Sequence, residues 1–539
     1  VTATTPARAA DHALRRLEDA VGGPARTRVV VLFACVLALE SADLAAIGAV
    51  APQLKSQLHV TNTQLGLLAA VSTFVGGVMT IPFGVLVDRV RRVTLLSVSV
   101  ATWAAAMVVG AVAQSYGWLL LSRIGLGAVA AVAAPAIASM TGDFFAAEER
   151  GKIYGYVLSG ELLGTGLGFV VSGGIGGALG WRWGFAVLAL PALVLAIVLW
   201  RGLAEPARGG QSHLEPGAQS VEEAAEPAED SNPEAQAPSQ PHVDKTRRAI
   251  VSQGASAERE HILRDNPDRM PLARVIRYVL SIPTYRWLII ASSIGYFFFA
   301  GIRTFGVVFM RGHFGLSQGA AIAVLFVAGL GSLAGVLISG RTADRRIRRG
   351  HVTSRIVVGG VLYLAAAAFM LPAVLVPSLI IAMPLLILGA AGLSGPNPPI
   401  DAARLDIMPG QLWGRAEGVR ALLRQTAQAG APLLFGLLAD VIAGTHGNAL
   451  ASGSSKTISA AGAHGLTVTF AIMIVPLALN GILLLRVPRR EYPDDVATAI
   501  ASERAVAERV NQQERVNQEE RVNRSEEEPV RSSPDDRPD

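Results

Sequence analysis

The stretch GVLVDRVRRVTLL, Gly84 to Leu96, stops an apolar run, sets four charges into five residues and then lets the apolar run resume. A closely similar stretch, GRTADRRIRRG, returns at Gly340 to Gly350. Each lies between runs long enough to cross a bilayer core, which takes about 20 apolar residues in a helix. Two charged knots of one design in an apolar chain mark two equivalent short loops, and equivalent loops mark an internal repeat.

The composition agrees with a membrane setting. Of the 539 residues, 51% are hydrophobic and 17% charged, with a mean hydropathy of +0.42. Soluble domains carry about a quarter charged residues. The net charge of +5 collects in tails and loops. It therefore reads as membrane orientation, not as a nucleic-acid surface, and no zinc spacing or aromatic-basic interleaving accompanies it. Cys35, the only cysteine, sits in an apolar run and reads as a small buried hydrophobe. Residues 1–28 are polar and of mixed charge, unlike a signal peptide.

Twelve apolar runs are expected to be membrane helices: 29–52, 63–87, 93–113, 117–142, 152–178, 184–202, 286–310, 317–341, 353–373, 377–400, 416–441 and 465–486. The run 416–441 is the least apolar, opening with Arg420 and Arg424. The expected fold is all-α and polytopic, two six-helix bundles at 29–202 and 286–486. A linker at 203–285 separates them. Residues 203–269 are rich in Glu, Pro, Ala, Gln and Ser, as disordered linkers are. Met270–Ile282 is amphipathic and basic, suited to a membrane surface. The tail 487–539 repeats ERVN at 508, 514 and 520 and reads as a wet helix or disorder.

Lysine and arginine in short loops orient the bundle. With the N-terminus inside, one side holds Arg89, Arg91, Arg92, Arg150, Lys152, Arg341, Arg345, Arg346, Arg348, Arg349 and Arg355. The other holds Lys55, Arg182, Arg311 and Lys456. Both termini and the linker are then expected in the cytoplasm, in the inner membrane of a bacterium. Both knots fall at the inner end of the second helix of a half. Gly84 and Gly340 allow close helix approach, while Asp88 and Asp344 cap or pair near helix ends. Arg89, Arg92 and Arg345 pair with acids or lipid heads, and the whole can latch the cytoplasmic face.

These residues resemble the signature of the major facilitator superfamily, Gly-x-Leu-x-Asp-Arg-x-Gly-Arg-Arg, with Arg91 where the family has glycine. A second family pattern, an arginine followed by glycines in the fourth helix, is matched by LLLSRIGLGAVAA with Arg123 and Gly127. Within that superfamily the chain is most similar to the Spinster-like branch. The matching residues are Asp43, SRIGLGAVAAVAAPAIASMTGDFFAAEERGK, GELLGTGLGFVVSGGIGG, GWRWGF, EPARG, PNPPIDAARLDIMP and APLLFGLLAD. Leu44 stands where the branch has arginine, and Ala130 where it has glutamate.

Ionisable residues at bilayer depth are costly and point to function. Glu40 and Asp43 share one face of the first helix, and Arg123 enters the fourth from the far side. Asp43 and Arg123 form the leading intramembrane pair. A carboxylate that is ionised when paired and protonated when separated makes a proton switch; the alternative is a static packing pair. Glu161 or Glu40 can replace the missing glutamate of the fourth helix. Arg303 meets an anionic head group, pairs with Glu40, or snorkels. Gln425, Gln428 and Asn480 line a cavity or bond within the core. Phe298, within the run Tyr296 to Phe299, meets an apolar substrate or packs. Gly160, Gly164 and Gly168 form a close-packing stripe. Trp181 and Trp183 read as an interfacial belt.

The resemblance implies a secondary transporter working by alternating access on a small amphipathic molecule, lysophospholipid-like or drug-like; the Asp43–Arg123 pair adds the expectation that protons drive it. Multidrug efflux, uncoupled transport and a non-transporting sensor or scaffold are the other readings. No nucleotide-binding loop is present, and the nine histidines are scattered, so neither an ATP-driven pump nor a membrane enzyme is expected. No cofactor, metal or nucleic acid is expected; the partners are substrate, protons and bilayer, and the chain is expected to act as a monomer.

Overall fold

A computed structural model describes residues 15–87, 89–145, 150–206, 214–215, 217–221, 255–265, 270–409, 412–444, 460–486 and 488–527. Every element named here is helical. The first six spans are Pro24–Leu58, Asn62–Val87, Arg92–Ala111, the pair Tyr116–Ala130 and Ala133–Phe144, the run from Arg150 to Leu179, and Trp181–Gly202. The second six are Pro283–Phe314, Gln318–Arg348, Ser354–Leu375, the pair Leu379–Ser394 and Asn397–Asp406, Trp413–Ile442, and Ala460–Arg486. Eleven of these are long and apolar enough to cross a membrane. Trp413–Ile442 falls short in hydropathy because Arg415, Glu417, Arg420 and Arg424 crowd its first half. It packs along the second span.

Small residues bring the helices together where lipid supplies no hydrophobic drive. Gly160, Gly164 and Gly168 of the fifth span meet the backbone of Ala34, Ala38 and Ala42 of the first. A Cβ built on Gly164 would lie 2.1 Å from the Ala38 carbonyl oxygen. Gly331 and Gly335 of the eighth span meet Ile387 and Ala391 of the tenth in the same way. Gly164→Val is therefore expected to stop the first bundle from assembling, because the obstacle is backbone. Size-exclusion chromatography of the purified variant checks this; a monodisperse peak with wild-type melting would contradict it.

The repeat is clearer in structure than in sequence. Arg92 opens the third span and pairs with Asp143 at the end of the fourth; Arg355 opens the ninth and pairs with Asp406 at the end of the tenth. Arginine and carboxylate are 51 residues apart in each case. Arg92 to Arg355 and Asp143 to Asp406 are equal steps of 263 residues, and the same step carries Pro135 to Pro398. The fourth and tenth spans are each broken, at Ala131–Val132 and at Gly395–Pro396.

Parts of the linker and tail are docked. Leu214 and Val221 are buried; Leu214 donates its N–H to Phe144 and Gly217 to Gly22. A helix Pro488–Glu527 follows the twelfth span, and its first turns bury Tyr492, Val496, Thr498 and Ser502. The ERVN side chains from Val510 onward lie outside the described residues. The expectation of a loose linker and a wet tail is thus corrected for these stretches: each carries enough apolar side chains to dock. The amphipathic helix is Leu272–Ser281, with Val275 and Val279 buried and Arg274 and Arg277 outward.

Candidate functional site

Hydrogen bonds that tie one half to the other cluster at the end remote from the arginine-rich loops. Asp440 of the eleventh span accepts four at the start of the second span. They come from Asn62 N at 3.2 Å, Asn62 Nδ2 at 2.9 Å, Thr63 N at 2.8 Å and Thr63 Oγ1 at 2.7 Å. An anion there satisfies orphan helix N–H groups and complements the helix dipole. Lys55 Nζ donates to Asn62 Oδ1. Gln53 donates to Gln318, which itself donates to the carbonyl of Ala49 at 2.9 Å. The backbones close up beside them: a Cβ on Gly48 would fall 1.9 Å from the Arg303 carbonyl oxygen, and one on Gly66 2.1 Å from that of Pro432.

Just inside this seal lies a charged cluster. Asp43 is five residues from Gly48 along the first span, about 8 Å by helix rise. Arg123 Nη1 donates to Asp43 Oδ1 at 2.5 Å, with both side chains almost wholly buried. The guanidinium lies over the Phe185 ring, 4.2 Å from its centroid. Its Nε and Nη2 have no protein partner. Arg303 of the seventh span lies within electrostatic reach of Glu161, Glu40 and Asp43. Arg424 of the eleventh lies within reach of Glu161, Glu417 and Asp401 and stacks over Tyr296, 4.3 Å from its centroid. Three carboxylates of the first half therefore confront two arginines of the second across the interface between halves.

Of the sequence-derived candidates, Glu40, Asp43, Arg123, Glu161 and Arg303 come together here. Gln425 lies against the second span, its Oε1 3.6 Å from a Cβ built on Gly77. Gln428, one turn further on, is buried. Phe298 is not at the cluster. It is 2% exposed and packs edge-on against Phe435 and Phe470, because its helix turns it into the second bundle. Asn480 donates to the Ala291 carbonyl, a bond within the core. Trp181 is fully buried and donates to Gln57 of the first span, so it packs within the first half and not in a lipid belt; Trp183 remains exposed. Cys35 is exposed on the outside of its helix, not buried. Sequence reading missed Arg424 as a site residue. Its signal was present: it lies about three turns inside a span.

The arginine-rich end differs from the expected latch. Arg92 is buried, holding Asp143, Ser139, Glu205 and the Pro206 carbonyl, all in its own half. Arg89 and Arg345 are exposed. A Cβ on Gly84 would meet nothing within 4 Å, and one on Gly340 only Pro398 at 3.5 Å. The expected close approach at these glycines is absent because the halves meet at the other end. Asp88 lies outside the described residues, as does the side chain of Asp344. Among the described residues no group of three or more His, Cys, Asp or Glu is placed to hold a metal ion.

Comparison with known proteins follows the same lines. The profile of the Major Facilitator Superfamily matches residues 33–432. Protein spinster homolog 1 of Xenopus tropicalis is 27% identical over 188 residues, 34% of this chain and 35% of that one. The transporter YybO of Bacillus subtilis (strain 168) is 25% identical over 193 residues, 35% of this chain and 44% of that one. The matches thus span less than half the length of these curated relatives. Among solved structures, a bacterial homologue of the human lysosomal transporter Spinster has the same fold. In its inward-facing, occupied form it superposes with a TM-score of 0.64 at 20% identity, covering 88% of this chain and 98% of that one. Its unoccupied form gives 0.65.

Proposed function

The chain belongs to the major facilitator superfamily, and on that premise we propose that it is a proton-coupled transporter of a small amphipathic molecule with a charged head group, working by alternating access. One observation carries the reading. The acids Glu40, Asp43 and Glu161 of one half oppose Arg303 and Arg424 of the other, beside a seal at the far end. Rocking of the halves changes every distance in that cluster. A substrate head group and protons then compete for the same charges, which couples their movements.

With the arginine-rich loops inside, the far seal is the outer gate and the conformation is inward-facing. The partial relatives and the inward-facing Spinster homologue support a Spinster-like reading. The phosphate of a lysophospholipid suits Arg303 and Arg424, and its acyl chain suits the apolar walls. Drug efflux is the second reading, since three carboxylates also suit a lipophilic cation.

Binding separates the two. A fluorescent lysophospholipid is titrated by anisotropy into the protein in nanodiscs, with tetraphenylphosphonium as competitor. The lipid is expected to bind, and Arg424→Ala to weaken it by about 10- to 100-fold, the loss of one charge-assisted contact. Binding of the cation alone, untouched by Arg424→Ala, would overturn the lipid reading in favour of efflux.

A further inference from the structure

The tail helix enters the second half at one atom. The Tyr492 hydroxyl donates to Asp406 Oδ2, the oxygen that also accepts from Arg355. Tyr492 is fully buried there. The first half has an equivalent node, Arg92 with Asp143, and its third member is Glu205, three residues past the sixth span. Each node is thus completed by the segment that follows the last span of its half. In the first half that segment belongs to the linker; in the second it is the tail helix.

Asp406 ends a special helix. Asn397–Asp406 is only ten residues long and is cut from Leu379–Ser394 by Gly395 and Pro396, with Pro398 and Pro399 in its first turn. A carboxylate at a helix C-terminus opposes the helix dipole, so Asp406 needs its donors. The same short helix carries Asp401 and Arg404. Arg404 bonds Asp401 at 2.5 Å and pairs with Glu417 of the eleventh span, and Glu417 pairs with Arg420. One turn beyond Arg420 is Arg424 of the charged cluster. The tail helix is therefore joined to the site by two sets of polar contacts, one at Asp406 and one around Glu417, linked through the short helix Asn397–Asp406 and one turn of the eleventh span.

The tail helix is itself held from both sides. Asp495 accepts the N–H of Thr284 at 3.0 Å, where the seventh span begins. Burial pushes the Asp495 carboxyl up to about 6, the cost of seating it there. Across the helix, Asp494, Thr498 and Ser502 stand four residues apart and accept backbone N–H groups of a linker segment that holds one 3-10 turn, Arg259–His261. The donors are Ser256 at 2.9 Å, Glu258 at 2.9 Å and Leu263 at 3.0 Å. The strap that leads into the second half thus lies over the tail helix.

We propose that Tyr492 is a positioning residue for the transport cycle: by holding Asp406, the tail helix anchors the hinged inner end of the tenth span and restrains its movement toward the first half. The proposal rests on the alternating-access reading. Loss of the anchor lets Asn397–Asp406 swing about Gly395–Pro396, so the inner mouth closes more readily.

Spin labels at Arg91 and Arg349, exposed in the loops after the second and eighth spans, read the width of the inner mouth without any transport assay. Tyr492→Phe keeps the ring and removes only the hydroxyl. The full-length variant in nanodiscs is expected to raise the short-distance population at least about fivefold, the shift that loss of one hydrogen bond to a charged group implies. Asp406→Asn weakens the node from its other side and is expected to move the distances the same way. If Tyr492→Phe does not fold, Asp406→Asn carries the test. A lowered melting temperature with unchanged distances in the folded variants would overturn the proposal and leave the helix as scaffold. If the wild type itself shows no second distance under any condition, alternating access fails, and the proposal with it.

Discussion

Asp43→Asn is expected to abolish accumulation driven by a pH gradient while leaving substrate exchange across the membrane within a few-fold of wild type. Asparagine keeps the shape and still accepts a hydrogen bond from Arg123, but it cannot take up a proton. Coupling requires that the carboxylate change charge state as the halves rock; exchange does not. The substitution also leaves Arg123 buried without its counter-ion, which costs about 3–5 kcal/mol in a buried site. The variant should therefore melt at a lower temperature. Removing both charges, in Asp43→Asn with Arg123→Gln, is expected to recover much of that stability and none of the coupling. This separates the two roles of the pair in proteoliposomes loaded with substrate. Wild-type gradient-driven accumulation by Asp43→Asn would remove Asp43 from the coupling mechanism.

Asp440→Ala is expected to unlatch the far seal. Four donors converge on that carboxylate, all at the start of the second span. Losing a helix cap and charge-assisted bonds together costs about 2–3 kcal/mol, a shift of about 30- to 150-fold between closed and open forms. Opening costs little in return, because water replaces the lost partner once the seal parts. Spin labels at the exposed Gln114 and Pro377, in the loops after the third and ninth spans, report the opening. A long-distance population that dominates in Asp440→Ala and is minor in wild type is the expected result. An unchanged distribution would mean that the backbone contacts at Gly48 and Gly66 hold the seal alone.

The fold was legible because its signals are strong and local. Twelve apolar runs, a polar linker that divides them six and six, and a repeated charged knot leave few alternatives. The glycine stripe at 160, 164 and 168 was legible for the same reason, since four-residue spacing of small residues has one geometric use. The intramembrane pair Asp43–Arg123 was legible because charges at depth are rare and their depths could be matched. What stayed hidden depends on tertiary context. Asp440 ends the stretch APLLFGLLAD, and nothing local shows that it meets the start of the second span. Arg424 was read, with Arg420, as a reason that the run 416–441 is poorly apolar, and so was not read as functional. Phe298 could not be told from Phe297 or Phe299 before the helix rotation was known. The knots misled about closeness, because Gly84 and Gly340 describe a contact that this conformation does not make. The second repeat node was hidden because one of its members, Tyr492, comes from a tail that reads as solvent-exposed.

The central claim is that protons move with substrate through the Asp43 cluster. Proteoliposomes loaded with the pH-sensitive dye pyranine and given a lysophosphatidylcholine gradient test it most directly. A proton flux that starts with the substrate gradient, is absent in empty vesicles and is lost in Asp43→Asn is the expected result. Substrate movement with no proton flux in the wild type would contradict it, and would leave the charged cluster as a head-group site in an uncoupled carrier.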